Sequence, residues 1–283
     1  METAEVSENV WGDKLYQKRA RKALPLLVRQ AVIGETIFYS DLAEELKMPN
    51  ARNLNYVLGC IGTTLEELAE ETEVEIPPIQ CLVVNKATEL PGEGVGWFIS
   101  DKDFKKLSKK QKKNIVDSQL AKIYSFSDWL WVLDELELEH PVFPRLSDVL
   151  PKRRGGGEGE LHKELKDYIA NNPMVVGLPS SCPKGEVEFK LPSGDSVDVM
   201  FTYRSQMVAV EVKSRISDQA DICRGLFQCV KYQTVTEAML GVQGKPQNVQ
   251  TLLVLESSFP KELIAIKNML NIRVISKVSE QES

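Results

Sequence analysis

The segment from Ser196 to Lys213 constrains the fold more than any other part of this chain, because it reads as two β-strands joined by a two-residue turn. Val197, Val199 and Phe201 alternate with Asp198 and Met200, and Val208, Val210 and Val212 alternate with Glu211 and Lys213. This is period-two strand patterning. With Arg204 and Ser205 as the turn, Asp198 falls directly opposite Glu211. Opposed residues share a face, and Lys213 joins them two positions on. Two carboxylates and an ammonium on otherwise apolar strands are costly to bury without partners. A divalent cation would justify both acids; an ordinary exposed face carrying a Glu–Lys pair is the alternative.

The flanks add chemistry. Upstream, Glu158, Glu160, His162 and Glu164 lie at the opening of a helix with Leu161, Leu165, Tyr168 and Ile169 on its apolar stripe. Downstream, Asp221 to Tyr232 reads as a second helix, in which Arg224, Gln228 and Tyr232 stack at i, i+4 and i+8. The order is acidic helix, strand, Asp strand, Glu-x-Lys strand and Gln-x-x-x-Tyr helix. It resembles the PD-(D/E)xK nuclease superfamily, in the branch that carries a Gln-x-x-x-Tyr helix motif, as in helicase-associated exonucleases. The resemblance covers residues 155–277, and it departs from the pattern in having no Pro before Asp198.

That resemblance implies a site. Asp198 and Glu211, helped by the Val212 carbonyl, would hold Mg²⁺, for which Mn²⁺ can substitute; such hard ions prefer oxygen ligands and keep several waters. Glu160 is the expected helix carboxylate, reaching the metal directly or through water, with Glu158 and Glu164 as competing positions. Lys213 would orient the attacking water or stabilise the phosphate in the transition state. Gln228 and Tyr232 would face the site and position water or phosphate; a helix face packed on the sheet is their alternative.

Composition is compatible with a cytoplasmic nucleic-acid enzyme. At 283 residues and 42% hydrophobic content, the chain suffices for two domains with real cores. It contains no apolar run of membrane-spanning length, and Met1 to Glu8 lacks the basic start and apolar centre of a signal peptide. The five cysteines are odd in number and never form Cys-x-x-Cys, which argues against a disulfide framework or a zinc site. The two histidines, His140 and His162, are too few for a His-based centre, and His162 reads as a helix-surface residue or a DNA contact. The net charge of −6 divides into −7 for residues 1–150 (18 Lys/Arg, 25 Asp/Glu) and +1 for residues 151–283 (17 and 16). Seven lysines between residues 101 and 115, and the Pro151–Arg154 segment, are candidates to track phosphates, although a solvated helix face also explains the lysines. Glu66, Glu67, Glu70, Glu71, Glu73 and Glu75 would repel DNA.

The Lys152–Gly157 segment reads as a linker, which sets expected domains of 1–150 and 151–283. Before it, Asp117–Glu139 reads as a helix whose Trp-rich apolar side packs onto the N-terminal domain. After the hairpin, Val249–Leu255 reads as a buried strand, followed by a helix from Pro260 and a last strand from Ile272. The expected fold is α/β: a restriction-endonuclease-like mixed central sheet flanked by helices, preceded by a mostly helical winged-helix domain.

The N-terminal half has a resemblance of its own. In Gly34 to Arg52, Ser40 is placed to cap a helix and Pro49-Asn50 to break it, before a helix over Asn53–Thr63. With Ile76-Pro77-Pro78 and the Cys81–Val84 segment, residues 20–100 resemble the winged-helix DNA-binding domain of alkylguanine-DNA alkyltransferases. Pro78-Ile79-Gln80 stands where that family has Cys-His-Arg, so nucleophile and base are absent and alkyl transfer is not implied. Cys81 reads as a buried strand residue. Arg52, Asn53 and Asn55 are the expected groove contacts, since recognition helices present their N-terminal residues to DNA. A winged helix used only for protein contacts is the alternative.

Taken together, these features lead to the expectation of a metal-dependent DNA nuclease acting in restriction, antiviral defence or repair. Its partners would be DNA and proteins of such a complex, with no membrane and with a homo-oligomer compatible. The alternative is a catalytically silent DNA-binding or scaffold subunit with the same fold.

Overall fold

The computed structural model describes residues 7–99, 104–144 and 159–278. Glu158, the Pro151–Arg154 basic segment, the glycine run and Lys102 therefore lie outside the described residues. The chain divides into two compact units, Met1–Phe143 and Pro144–Ser283.

The first unit is mostly helical. Helix α1 (Leu15–Ile33) buries Ala20, Leu24, Leu27 and Val28, and Gly34 closes it at φ 75°, a left-handed backbone that glycine adopts without steric cost. Strand β1 (Ile37–Phe38) leads into α2 (Tyr39–Glu45). Buried Arg29 of α1 grips Glu45 of α2 with two hydrogen bonds of 2.6 and 2.8 Å. The cap of α2 is Phe38 rather than the expected Ser40, whose hydroxyl turns to Asp41 instead. Helix α3 (Leu54–Thr72) runs past the expected end at Thr63, because Thr64, Leu65 and Leu68 continue its buried stripe. Cys81 is buried, but in a 3₁₀ turn (Ile79–Leu82) just before strand β2 (Val83–Val84). Strands β1 and β2 pair in parallel, so the described residues of this unit contain no antiparallel wing hairpin.

Short α4 (Gly96–Ile99) precedes α5 (Lys109–Ser125) and α6 (Trp129–Glu135). The single helix expected over Asp117–Glu139 is thus broken, after Ser125. The break lets the Trp129 indole donate to the Ile123 carbonyl at 2.9 Å and pack edge-on against Phe126. Ile123, Trp129, Val132 and Leu133 join the α1 and α3 core, as the apolar pattern required.

The second unit is mixed α/β. Helix α7 (Glu160–Asn171) precedes strands β3 (Glu186–Lys190), β4 (Ser196–Tyr203) and β5 (Gln206–Lys213). Helix α8 (Gln219–Val242) then leads to β6 (Val249–Leu255), short α9 (Ile264–Met269) and β7 (Arg273–Ile275). The sheet order is β3-β4-β5-β6-β7, antiparallel through β5 and parallel from β5 to β7. Parallel pairing needs a crossover, and α8 supplies it between β5 and β6. The Asp218 carboxylate starts α8 by accepting from the Asp221 N–H at 2.9 Å. The hairpin turns at Arg204-Ser205, with Tyr203 paired to Gln206 and Arg204 at φ 55°.

Helices cover both faces of the sheet. Leu165 and Ile169 of α7 pack on Val199, Phe201, Val208, Val210 and Val212. Tyr232 of α8 packs on Val197, Met200 and Ala209, while Leu226 and Cys229 meet Leu253 and Leu255. No helix among the described residues is long and apolar enough to cross a membrane.

Phe201 is wholly buried on the α7 face and fills the centre of that layer. Phe201→Ala should cost about 3–5 kcal/mol through lost transfer energy and the remaining cavity. Denaturant titration reads this as an earlier midpoint; a loss below about 1 kcal/mol would mean that the ring does not organise this core.

Candidate active site

The site is built where the sheet changes sides. Along β4, Val199 and Phe201 pack under α7, yet Val197 packs with Tyr232 under α8. Strict alternation would have kept Val197 and Val199 on one face, so the expected pattern fails at the residue between them, Asp198. Strand β3 switches in the same place: Val187 packs on the α7 side and Phe189 on the α8 side. These two residues pair with Val199 and Val197, which puts Glu188 across from Asp198. Glu188 absorbs the kink with a left-handed φ of 57°, a conformation that costs a non-glycine residue roughly 1–2 kcal/mol.

On its other side Asp198 stands across from Glu211 in register, one step beyond the Val199–Val210 pair. There Asp198 Oδ2 accepts the Val212 N–H at 2.8 Å in place of a backbone carbonyl. Helix α7 approaches the same carboxylate: His162 Nε2 lies 3.6 Å and Lys166 Nζ 3.8 Å from Asp198 Oδ1. Lys166 is 3% exposed and also donates to Glu188 Oε1, while Ser196 Oγ donates to Glu188 Oε2 at 2.8 Å.

Glu211 and Lys213 occupy the α8 face at the carboxyl end of β5. Lys213 Nζ donates to Glu211 Oε1 at 2.6 Å and approaches Gln228 Oε1 at 3.5 Å. Gln228 Nε2 donates to the Tyr232 hydroxyl at 3.3 Å, which donates to the Ser196 carbonyl at 2.9 Å. Gly225 makes this closeness possible, because a Cβ there would meet Leu253 Cδ1 at 2.9 Å and Lys213 Cε at 3.0 Å. Glu211 Oε2 has no donor, although the residue is only 2% exposed. A buried acceptor left without a partner carries a large desolvation cost.

The ionisation of the two acids is pushed in opposite directions. Burial and then the Asp198 charge push the Glu211 carboxyl up to about 7, with Lys213 and the Tyr232 hydroxyl opposing. Burial would also raise Asp198, but the His162 imidazole and the Val212 N–H outweigh it and hold this carboxyl below its usual range. Glu188 is held low in the same manner, the hydrogen bonds from Lys166 and Ser196 overcoming burial. Burial, then the Glu211 and Asp198 charges, raises the Tyr232 hydroxyl.

The structure thus gathers Asp198, Glu211, Val212, Lys213, Gln228 and Tyr232 in one place. Arg224, expected on the same stripe, is instead exposed and pairs with Asp221 at 3.0 Å. Glu160 and Glu164 are exposed on α7, and the side chains this helix sends to Asp198 are His162 and Lys166. His162 is therefore no surface residue. Lys166 and Glu188 escaped the sequence reading. Lys166 sits between Leu165 and Ile169 and was readable as a charge inside the buried stripe. Glu188 had no such signal, because Glu-Val-Glu-Phe-Lys looks like plain alternation. Among the described residues, no three His, Cys, Asp or Glu side chains form a group that could hold a metal; the acids of β4 and β5 come as a pair. In the first unit, Arg52, Asn53 and Asn55 are exposed at the start of α3, and Asn50 caps that turn by accepting from the Arg52 N–H at 2.9 Å. No family model, curated protein or solved structure matches this chain.

Glu211 predicts a pH dependence of stability in EDTA. Its unfolded carboxyl titrates near the usual ~4.3, its folded one at about 7. The folded state therefore holds a proton that the unfolded state releases, and the stability this contributes is complete at acid pH and lost as pH rises through 7. Glu211→Gln removes that loss. Its melting temperature relative to wild type should rise between acid and alkaline pH; parallel curves would mean that Glu211 is not strained.

Proposed function

We propose that this protein is a metal-dependent DNA nuclease that hydrolyses phosphodiester bonds, in the manner of the PD-(D/E)xK enzymes its C-terminal half resembles. The observation that carries the reading is the donorless Glu211 Oε2, buried beside Asp198 with Lys213 two residues on. An all-oxygen donor set of two carboxylates and the Val212 carbonyl suits Mg²⁺ or Mn²⁺, which complete their shells with water, so a third side-chain ligand is not required. When bound, such an ion supplies Lewis acidity that offsets charge on a phosphodiester.

The chain's own residues do the rest. Asp198 and Glu211 would hold the ion, because both strands are pinned by pairing on either side of them. The Lys213 ammonium, held by Glu211 Oε1 and Gln228 Oε1, is the point charge for the oxygen anions of the transition state. Gln228 is a positioning residue acting through Lys213, and Tyr232 anchors Gln228 to the Ser196 carbonyl. Exposed Arg52, Asn53 and Asn55 are the proposed DNA contacts of the first unit. Restriction, defence against foreign DNA and repair are the roles that such an activity suits.

Cleavage of plasmid and linear DNA should require Mg²⁺ or Mn²⁺ and stop in EDTA. Asp198→Ala, Glu211→Ala and Lys213→Ala should each lose on the order of 10²-fold or more in rate while melting as folded proteins. Gln228→Ala should lower kcat more than it changes KM. Wild-type cleavage by the Asp198 and Glu211 variants would refute the site. DNA binding without cleavage under any metal would instead fit a silent scaffold subunit.

Arg52→Glu tests the first unit separately. It should weaken DNA binding and flatten its salt dependence without altering the metal requirement. Unchanged affinity and salt slope would assign this unit to a protein partner.

A further inference from the structure

Glu188 and Lys166 take no part in the ion site just proposed, yet they bear on how many ions it takes. Glu188 stands across from Asp198 at the kink shared by β3 and β4, on the opposite side of Asp198 from Glu211. Asp198 is thus flanked by one acid on each neighbouring strand. In two-metal sites the ions lie roughly 3.5–4 Å apart, and a second ion beside Asp198 would have to use its Glu188 side. The two sides differ here in what already occupies them. On the Glu211 side an oxygen is left without a donor. On the Glu188 side the Lys166 ammonium sits between the carboxylates, donating to Glu188 Oε1 and lying 3.8 Å from Asp198 Oδ1, with its side chain 3% exposed.

We propose that Lys166 fills the second cation position permanently, so that the chain binds one divalent ion, on the Glu211 side of Asp198, and not two. The inference rests on the metal reading above. Charge supports it: the Lys166 ammonium already offsets negative charge of the Glu188–Asp198 pair. A second divalent ion would have to enter beside that ammonium and be repelled by it. The position of Lys166 is fixed by its place in α7, between the anchors Leu165 and Ile169. A buried lysine in such a place persists because it is paired.

Counting Mn²⁺ on the full-length protein by the electron paramagnetic resonance signal of the free ion tests this without an activity readout. Wild type should bind one ion per chain. Lys166→Met, close in volume but without charge, should expose the Glu188–Asp198 pair and bind two. Lys166→Met combined with Glu188→Gln should return to one. Two ions on wild type overturn the proposal while leaving the metal reading intact, and so does a single ion on a folded Lys166→Met protein. If Lys166→Met does not fold, the wild-type count decides: one ion supports the proposal and two overturn it. No ion on wild type removes the metal reading and this inference together.

Discussion

The carboxylate of Asp198 does the work that backbone carbonyls do elsewhere in the hairpin, accepting the Val212 N–H at 2.8 Å where the β4–β5 ladder ends. Because a side chain closes that bond, the β4 backbone is released to turn over, and Val197 goes to the face opposite Val199. The partner strand follows with the left-handed Glu188. Paired strands that switch faces together keep their hydrogen bonds on either side of the kink. They also put Glu188, Asp198 and Glu211 at neighbouring register positions of three adjacent strands. Strand distortions of this kind re-aim side chains at functional sites. Here the distortion lets one carboxylate meet α7 through His162 and Lys166, and Glu211 and Lys213 on the α8 side.

Burial then makes the arrangement costly without a cation. Lys166 answers the charge on the Glu188 side, and Lys213 answers one oxygen of Glu211. The other oxygen of Glu211 is left over. An unanswered buried carboxylate costs several kcal/mol and survives where the surroundings over-determine it. Those surroundings are visible: β5 is paired on both sides, and α8 presses close at Gly225, against Leu253 and the stem of Lys213. Gln228 and Tyr232 continue the same support back to the Ser196 carbonyl of β4.

Much of this was legible in the sequence, for reasons that differ by residue. The hairpin register followed from the period-two pattern and the two-residue turn, and it brought Glu211, Lys213 and Asp198 into one neighbourhood. The i, i+4 spacing of Gln228 and Tyr232 identified one helix face, and the stretch from Val249 onward gave the strand–helix–strand tail. What escaped depends on local geometry that pattern does not encode. The face switch at Asp198 left no trace in the alternation of valines. Glu188 looked like an exposed strand residue, and the choice of Glu160 assumed that an acid, rather than His162 and Lys166, meets Asp198. In the first unit, the break after Ser125 comes from the Trp129 indole folding back onto Ile123, a tertiary contact.

In the proposed site the donorless oxygen of Glu211 is a ligand for a divalent cation. Crystals grown with Mn²⁺ and measured at a wavelength where manganese scatters anomalously test it directly. An anomalous peak is expected within metal–oxygen bonding distance of Glu211 Oε2 and one oxygen of Asp198. A map without a peak there, or with a donor group hydrogen-bonded to Glu211 Oε2 in its place, would contradict it.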